Sequence, residues 1–405
     1  MSENARKPSI QFAGFDDAWE QRKLGEIADI VRGASPRPIK DPKWFDDKSD
    51  IGWLRISDVT QQDGRIHYLE QRISEMGQER TRVLIEPHLL LSIAATVGKP
   101  VINYIKTGVH DGFLIFQNPR FDCEFLFQWL EMFRPKWQKF GQPGSQVNLN
   151  SDLVKNMQIM LPVKDEQRTI GAFFSNLDNL ITLHQRKYEK LVSVKKSMLE
   201  KLFPKNGSNI PEIRFAGFTD PWEQRKFGTI VVPYSDPIET PKDGYIRLGI
   251  RSHAKGTFHN YVKPGMQLET AQMHRVGAGN FIVNITFGWE HAVAITDQND
   301  DGKLVSHRFP QFKFIDGMQP GYFKLLILDE RFRHHLWLSS PGGAGRNRVL
   351  NIKEMLEYPF WVTSEFEQKK IADFFIKLDN LITLHQRKLE KLKKVKKAML
   401  DKMFV

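Results

Sequence analysis

The sequence predicts an α+β chain: two mixed α/β domains joined by two long antiparallel coiled-coil helices, with an internal pseudo-two-fold repeat. Three observations carry that prediction. The stretch LDNLITLHQRK occurs twice without substitution, at Leu177–Lys187 and at Leu378–Lys388. A second phrase, FAGFDDAWEQRKLGEI from Phe12, returns as FAGFTDPWEQRKFGTI from Phe215. Between phrase and helix each half carries a mixed stretch of about 135–140 residues, a common domain size.

The first repeat extends to Glu166–Phe203 and Glu367–Phe404, an offset of 201; the second, from Phe12 and Phe215, gives 203. The offsets nearly agree, so one unit of about two hundred residues is used twice, well beyond the ~20–50 residues of a solenoid repeat. The predicted parts are a first domain over 1–163, a long helix over 164–204, linker and second domain over 205–363, and a second long helix over 364–405. The opening SENARKPSIQ resembles the inter-repeat linker PKNGSNIPEIR, with Pro8 against Pro211 and Ile10 against Ile213. The chain reads as a circle cut at one linker, as a pseudo-dyad requires.

At 405 residues there is room for two or three cored domains. A formal charge of +11 and a pI near 9.4 favour a polyanionic partner without requiring one. Cys123 is the only cysteine, which excludes an internal disulfide and a cysteine-based zinc site. The start MSENARKPSIQFAGF lacks the apolar core of a signal peptide, and no apolar run is long enough to span a bilayer. A cytoplasmic protein without a membrane partner is expected.

In each half the repeated frame comes first. Trp19 and Trp222 open its W-E-Q-R-K phrase, and large aromatics at identical places suit packing of the domain start against the helices better than base stacking. The stretches VLIEPHLLLSIAATVGKPVINYI and FIVNITFGWEHAVAIT read as strands with turns, and CEFLFQWLEMF and YFKLLILDERFRHHLWL as helices. Gly-rich loops close both stretches (GQPGSQVNLN and SPGGAGRNRV); they lack the phosphate-loop order and read as turns.

The long helices follow. Ser364 stands three residues before Glu367 as a capping box, Gly171 is a mild helix penalty, and a bend near Asp178 and Asp379 is expected. Ile181, His184, Tyr188, Leu191, Lys195, Met198 and Leu202 alternate by three and four, as do Ile382, His385, Leu389, Leu392, Lys396, Met399 and Met403. That heptad spacing makes a seam, each helix being the other's partner. His184 and His385 suit helix register or contact with a partner protein better than metal ligation, since no ligand cluster surrounds them. Lysine-laden faces such as KLEKLKKVKKAML read first as solvated surface and second as support along a phosphate backbone. From Asp178 to Phe203 a helix rises roughly 39 Å, close to the ~34–36 Å between equivalent major-groove positions one turn apart.

With the paired EQ…FF…LDNLI…KLEKL…ML helices, the WEQRKLG and WEQRKFG starts, and phrases such as GWLRISDV and LLLSIAATVGKPVI, the chain resembles the DNA-specificity (S) subunits of type I restriction-modification systems. The resemblance spans essentially the whole chain; YIRLGIRS and FIVNITFGWEHAV in the second domain match more loosely. It implies two target-recognition domains, each reading half of a split asymmetric site in double-stranded DNA. It implies, too, that the conserved helices dock two adenine methyltransferase (M) subunits, with motor-nuclease (R) subunits joining for cleavage. S-adenosylmethionine would be bound by those partners, which flip and methylate adenine; this chain would bind no cofactor and carry no catalytic residue or metal. The sequence agrees, lacking an N/D-P-P-Y/F motif, a Walker loop and a helicase box.

Polar and basic residues beside strand ends and in the Gly-rich loops are the candidate readers. In the first domain these are Ser57, Gln61, Arg65, Thr96, Lys99, Gln142, Ser145 and Gln146. In the second they are Arg247, Arg251, His253, Asn284, Thr286, Arg346, Asn347 and Arg348. Ile181, His184, Tyr188, Leu191, Met198, Ile382, His385, Leu389, Leu392 and Met399 are the expected seam and docking positions. Two rival readings are a nuclease using Glu365, Glu367 and Lys369, and a coiled-coil scaffold that never meets DNA. Acidic residues at a helix start are already explained by the helix dipole.

Overall fold

The computed structural model describes residues 7–93, 96–137, 149–205, 207–267, 272–342 and 348–404. The chain forms two compact units, Met1–Arg186 with Gln386–Val405, and Lys187–His385. Both long helices contribute to both units.

The first unit opens with β1 (Glu20–Lys23), α1 (Leu24–Ile27), β2 (Asp29–Arg32), β3 (Gly52–Leu54), α2 (Ile56–Gln61) and β4 (Arg65–Ile66). After α3 (Glu75–Gln78) come β5 (Arg82–Leu84), β6 (Leu89–Ser92), β7 (Pro100–Asn103), β8 (Thr107–Val109) and β9 (Phe113–Gln117). Helix α4 (Cys123–Trp137), α5 (Ser151–Lys155), β10 (Gln158–Leu161) and the long α6 (Lys164–Lys201) complete it. The main sheet has the order β2-β9-β6-β7-β4, and a small one the order β3-β8-β5. Strands β6, β7 and β9 are apolar nearly throughout because both faces are covered. Leu89, Leu91, Leu114 and Phe116 enter one core, while the alternating Leu90, Phe113 and Ile115 enter another.

The second unit holds β11 (Glu223–Lys226), β12 (Val231–Tyr234), β13 (Pro237–Glu239), β14 (Tyr245–Ile250), β15 (Thr257–Val262) and β16 (Gln272–Arg275). It continues with β17 (Phe281–Val283), β18 (Val293–Ile295), β19 (Leu304–Val305) and β20 (Gln311–Phe314). Helices α7 (Pro320–Leu326), α8 (Glu330–Leu338) and α9 (Ile352–Leu356) precede β21 (Pro359–Val362) and the long α10 (Glu365–Met403). Its sheets run β12-β20-β17-β18 and β13-β16-β19-β14-β15. The helical stretch YFKLLILDERFRHHLWL is broken into α7 and α8, because Asp329 caps a new start by accepting from the Arg331 N–H at 2.8 Å.

The repeated segments do the same work in both units. Strand β1 pairs antiparallel with β10, Glu20 opposite Leu161, and β11 pairs with β21, Glu223 opposite Val362. Each domain is thereby closed by a strand leading directly into a long helix. Trp19 is 1% exposed and meets Phe125 and Phe404 edge-on; Trp222 is 2% exposed and meets Phe203 and Tyr322. Both tryptophans therefore anchor the frame to the far end of a long helix.

Linker and terminus also match. The Ile213 N–H donates to the Lys201 carbonyl at 3.0 Å, and the Ile10 N–H to the Lys402 carbonyl at 3.1 Å. The opening segment thus occupies against the end of α10 the place that the covalent linker occupies against the end of α6.

Within each unit the long helices run antiparallel. In the first, Phe174 and Leu177 share a core with Met403 and Phe404, and Ile181 packs there with Leu392 and Met399. In the second, Phe375, Leu378 and Ile382 share one with Leu191, Met198 and Leu202. Neither helix breaks at Asp178 or Asp379, contrary to the expected bend. Those carboxylates are taken by lysines of the facing helix, Asp178 by Lys396 and Asp379 by Lys195, both at 2.6 Å. They are therefore not competing for nearby backbone groups.

The capping box at Ser364 forms by half. Ser364 Oγ accepts from the Glu367 N–H at 3.4 Å, but the Glu367 carboxylate turns to Arg214, which grips it with two bonds of 2.7 Å.

Candidate nucleic-acid interface

Three loops of the first unit converge beside its small sheet. Asp111 accepts from Ser35 Oγ at 3.0 Å and pairs with Arg37 at 2.6 Å, while the Arg32 side chain donates to the Asp111 carbonyl. Arg82 donates to the Arg32 carbonyl at 2.8 Å, and Thr81 Oγ1 to the Ala34 carbonyl at 2.6 Å. The three arginines are exposed, and none was among the sequence candidates. They lie outside the repeated phrases and gather only through tertiary folding. Nearby, burial lowers the His110 pKa from its ordinary value.

Of the first-domain candidates, Ser57 and Gln61 are exposed on α2, and Thr96 is half-buried, donating to Ser92 Oγ at 3.1 Å. Two others are instead turned into the protein. Arg65 makes two 2.7 Å bonds to Glu124, lies over the Phe127 ring and reaches Asp178 at 3.3 Å. Burial opposes its charge, but the Glu124 carboxylate more than offsets this and holds the guanidinium protonated. Lys99, 9% exposed, is held by Asp63 at 2.5 Å and Glu131 at 2.8 Å. Both cations hold the fold together, because a charge this buried needs a paired carboxylate. Gln142, Ser145 and Gln146 lie outside the described residues, as do Arg346 and Asn347.

In the second unit the candidates come together better. The His253 N–H donates to the Glu290 carbonyl at 2.9 Å, and the Asn284 N–H to the Ala292 carbonyl at 3.0 Å, bringing the loop after β14 against that after β17. The Ile285 N–H donates to the Arg308 carbonyl at 3.0 Å, and the Leu350 N–H to the Ile285 carbonyl at 2.9 Å. Arg251, His253, Asn284, Thr286 and Arg348 thus share one cluster of loops, with Arg308 as an addition. Arg348 lies over the Trp337 ring at 4.9 Å, and Trp337 is 44% exposed. Arg247 stands apart, half-buried within β14.

On the long helices the seam positions are half-buried or buried, whereas Leu180, Leu183, Leu381 and Leu384 are exposed at 44–46%. These four are two copies of one apolar i, i+3 pair within the invariant segment. The Glu365–Glu367–Lys369 group is no metal site: Glu367 is buried against Arg214, and Glu365 accepts from Gln319 at 2.8 Å. Among the described residues no three His, Cys, Asp or Glu side chains gather as metal ligands, and no helix is long and apolar enough to cross a membrane.

Residues 16–193 match the family model described as type I restriction modification DNA specificity domain. The protein assigned as the MjaX type I restriction enzyme specificity subunit of Methanocaldococcus jannaschii is 22% identical, with 98% of this chain and 95% of that protein covered. The MjaVIII specificity subunit of the same organism is 22% identical over 95% of this chain and 91% of its own length. Residues 16–193 thus carry a type I restriction-modification DNA specificity domain. Its fold is similar to that of the S subunit from M. genitalium, at a TM-score of 0.58 and 11% identity, covering 98% of this chain and 99% of that one. The matched domain is a non-catalytic DNA-specificity domain.

Proposed function

We propose that this chain is a specificity subunit that directs a type I complex to a bipartite, asymmetric DNA sequence, each unit's globular part reading one half-site. The converging loops bearing Arg32, Arg37 and Arg82 in one unit, and Arg251, His253, Thr286, Arg308 and Arg348 in the other, are the reading surfaces. Their basic and amide groups suit phosphate positioning and base-edge contact. The exposed Leu180–Leu183 and Leu381–Leu384 pairs receive two copies of one methyltransferase subunit, which binds S-adenosylmethionine; a motor-nuclease subunit joins where the DNA is cut. The place of action is the cytoplasm.

The observation that carries this is the contrast inside one chain. The long helices present the same apolar pair twice, which fits one partner used twice, while the loop surfaces share almost nothing, which fits two different half-sites. The test is to map methylated adenines in DNA from cells expressing the chain with its methyltransferase. One split motif is expected, and inserting four residues, about one helical turn, near Lys201 should lengthen only its unread spacer. Absence of methylation at any defined motif would refute the reading.

A further inference from the structure

Beside α2 and the small sheet, the first unit forms an open cleft of about 800 Å³, within the ~300–1,000 Å³ range of small-molecule sites. Its apolar wall is aromatic and rigid. Trp53, 2% exposed, stands between Phe45 and His110, meeting both edge-on at centroid distances of 6.4 and 5.8 Å. Its polar lining is supplied by Lys40, Asp47, Arg55, Ser57 and Gln71.

Arg55, Gln71 and His110 are held in place. Arg55 is fixed by Asp58 at 3.0 and 3.2 Å and by Glu70 at 3.3 Å. Gln71 is anchored through its carbonyl, which accepts from the Trp53 N–H at 2.7 Å. The His110 ring accepts at Nδ1 from the Gly112 N–H at 2.9 Å, and burial disfavours its charged form, so the wall offers a neutral imidazole. Lys40 and Arg55 are the cations of the lining, beside the carboxylate of Asp47.

An aromatic wall, an amide and a hydroxyl for ring-edge hydrogen bonds, and cations in the lining together fit a flat heteroaromatic ring joined to a phosphate. We propose that the cleft receives one extrahelical nucleotide of the bound duplex, so that the first half-site is read partly by a base taken out of the stack. This rests on the DNA-reading function proposed above. The cavity of about 690 Å³ in the second unit, reached from the loop after β14, has Phe375 as its one aromatic lining residue, so the effect is expected at the first half-site.

Mismatches supply a test whose sign decides. A mismatch at a base read within the helix weakens binding, by about 1–3 kcal/mol. A mismatch at a base that must leave the helix removes part of the unpairing cost of a few kcal/mol, so binding tightens. The full complex with its methyltransferase is titrated against duplexes mismatched one position at a time through the mapped motif. Besides the methylated adenines, one position in the first half-site should bind about tenfold tighter when mismatched, and none in the second half-site should. Ser57→Trp, which fills the mouth from an exposed position, and Gln71→Leu, which removes the amide, should each abolish that gain.

If the duplex binds but every such mismatch weakens binding, the cleft inference fails and the reading of DNA stands. If the complex binds no duplex specifically, the functional reading itself fails. Adenosine monophosphate bound by the DNA-free complex and lost in Ser57→Trp, with no mismatch gain, would assign the cleft to a free nucleotide and overturn the proposal.

Discussion

Asp178 and Asp379 occupy the same place in identical eleven-residue segments, yet they live in different surroundings. Both pair with a lysine of the facing helix at 2.6 Å. Asp178, 15% exposed, also accepts from Gln128 at 2.8 Å and meets Arg65 at 3.3 Å, so the first globular part is latched to the helices. Asp379, 49% exposed, has Lys195 as its ion-pair partner, beside a cavity of about 690 Å³ that Lys324 and Ile376 also line. A helix segment repeated without substitution therefore meets two divergent domains, and the adaptation lies on the domain side.

The same lesson recurs about two and three helical turns away. Gln167 and Gln368 each accept from the first N–H groups of a domain helix, that of Asp122 at 2.9 Å and that of Gln319 at 3.0 Å. At the adjoining close approach the small residue changes sides. Gly171 of α6 faces the start of α4, where an added Cβ would lie 2.7 Å from Asp122 Oδ1 and 2.9 Å from the Phe125 nitrogen. Its counterpart is Ala372, and there α7 supplies Gly321, whose added Cβ would lie 3.2 Å from the Ala372 Cβ. What looks in the sequence like a mild helix penalty is a packing requirement.

Three comparisons between the halves probe this asymmetry, from the largest effect to the smallest. Asp178→Ala strands Lys396 and weakens the Arg65 latch, and should cost about 3 kcal/mol, at the low end for a broken buried pair. Asp379→Ala should cost under about 1 kcal/mol, as exposed pairs do. Equal shifts in denaturant midpoint would deny the difference. Gly171→Ala should cost about 2 kcal/mol through overpacking, more than Gly321→Ala, and Ala372→Gly should recover the loss only in the second case.

The third concerns buried glutamates at the starts of the long helices. Arg214 neutralises Glu367, whereas Glu166, 1% exposed, has Gln11 at the corresponding place. Burial pushes the Glu166 carboxyl above its ordinary value of 4.5, and Trp19 and Gln11 offset only part of this. A carboxyl whose folded pKa exceeds its unfolded one binds protons more tightly when folded. Its contribution to stability is thus present at low pH and falls as pH rises from about 4.5 through the raised value. Gln11→Arg should flatten that fall between pH 5 and pH 8, measured by denaturant midpoint; an unchanged slope would contradict it.

Much of the fold was legible because the repeat states it twice. The frames, the seam and the closing of the circle at Ile10 follow from exact recurrence and heptad spacing. The Asp–Lys pairs were half legible: all four residues stand in or beside the seam, but which carboxylate meets which lysine depends on helix stagger. The proposed reading surfaces were least legible. Arg65 and Lys99 look like readers on a list of cations, and only tertiary folding reveals Glu124, Asp178 and Glu131 around them. Arg32 and Arg82, at the ends of β2 and β5, and Arg37 and Arg308, in loops, escaped because they stand outside the repeated phrases.

The central claim is that the non-repeated stretches carry specificity while the repeated ones carry assembly. It is tested by replacing residues 227–358, between the second frame and β21, with a copy of residues 24–157, and mapping methylated adenines made with the methyltransferase. The account predicts the first half-site at both ends, inverted, across an unchanged spacer. Retention of the original second half-site would contradict it.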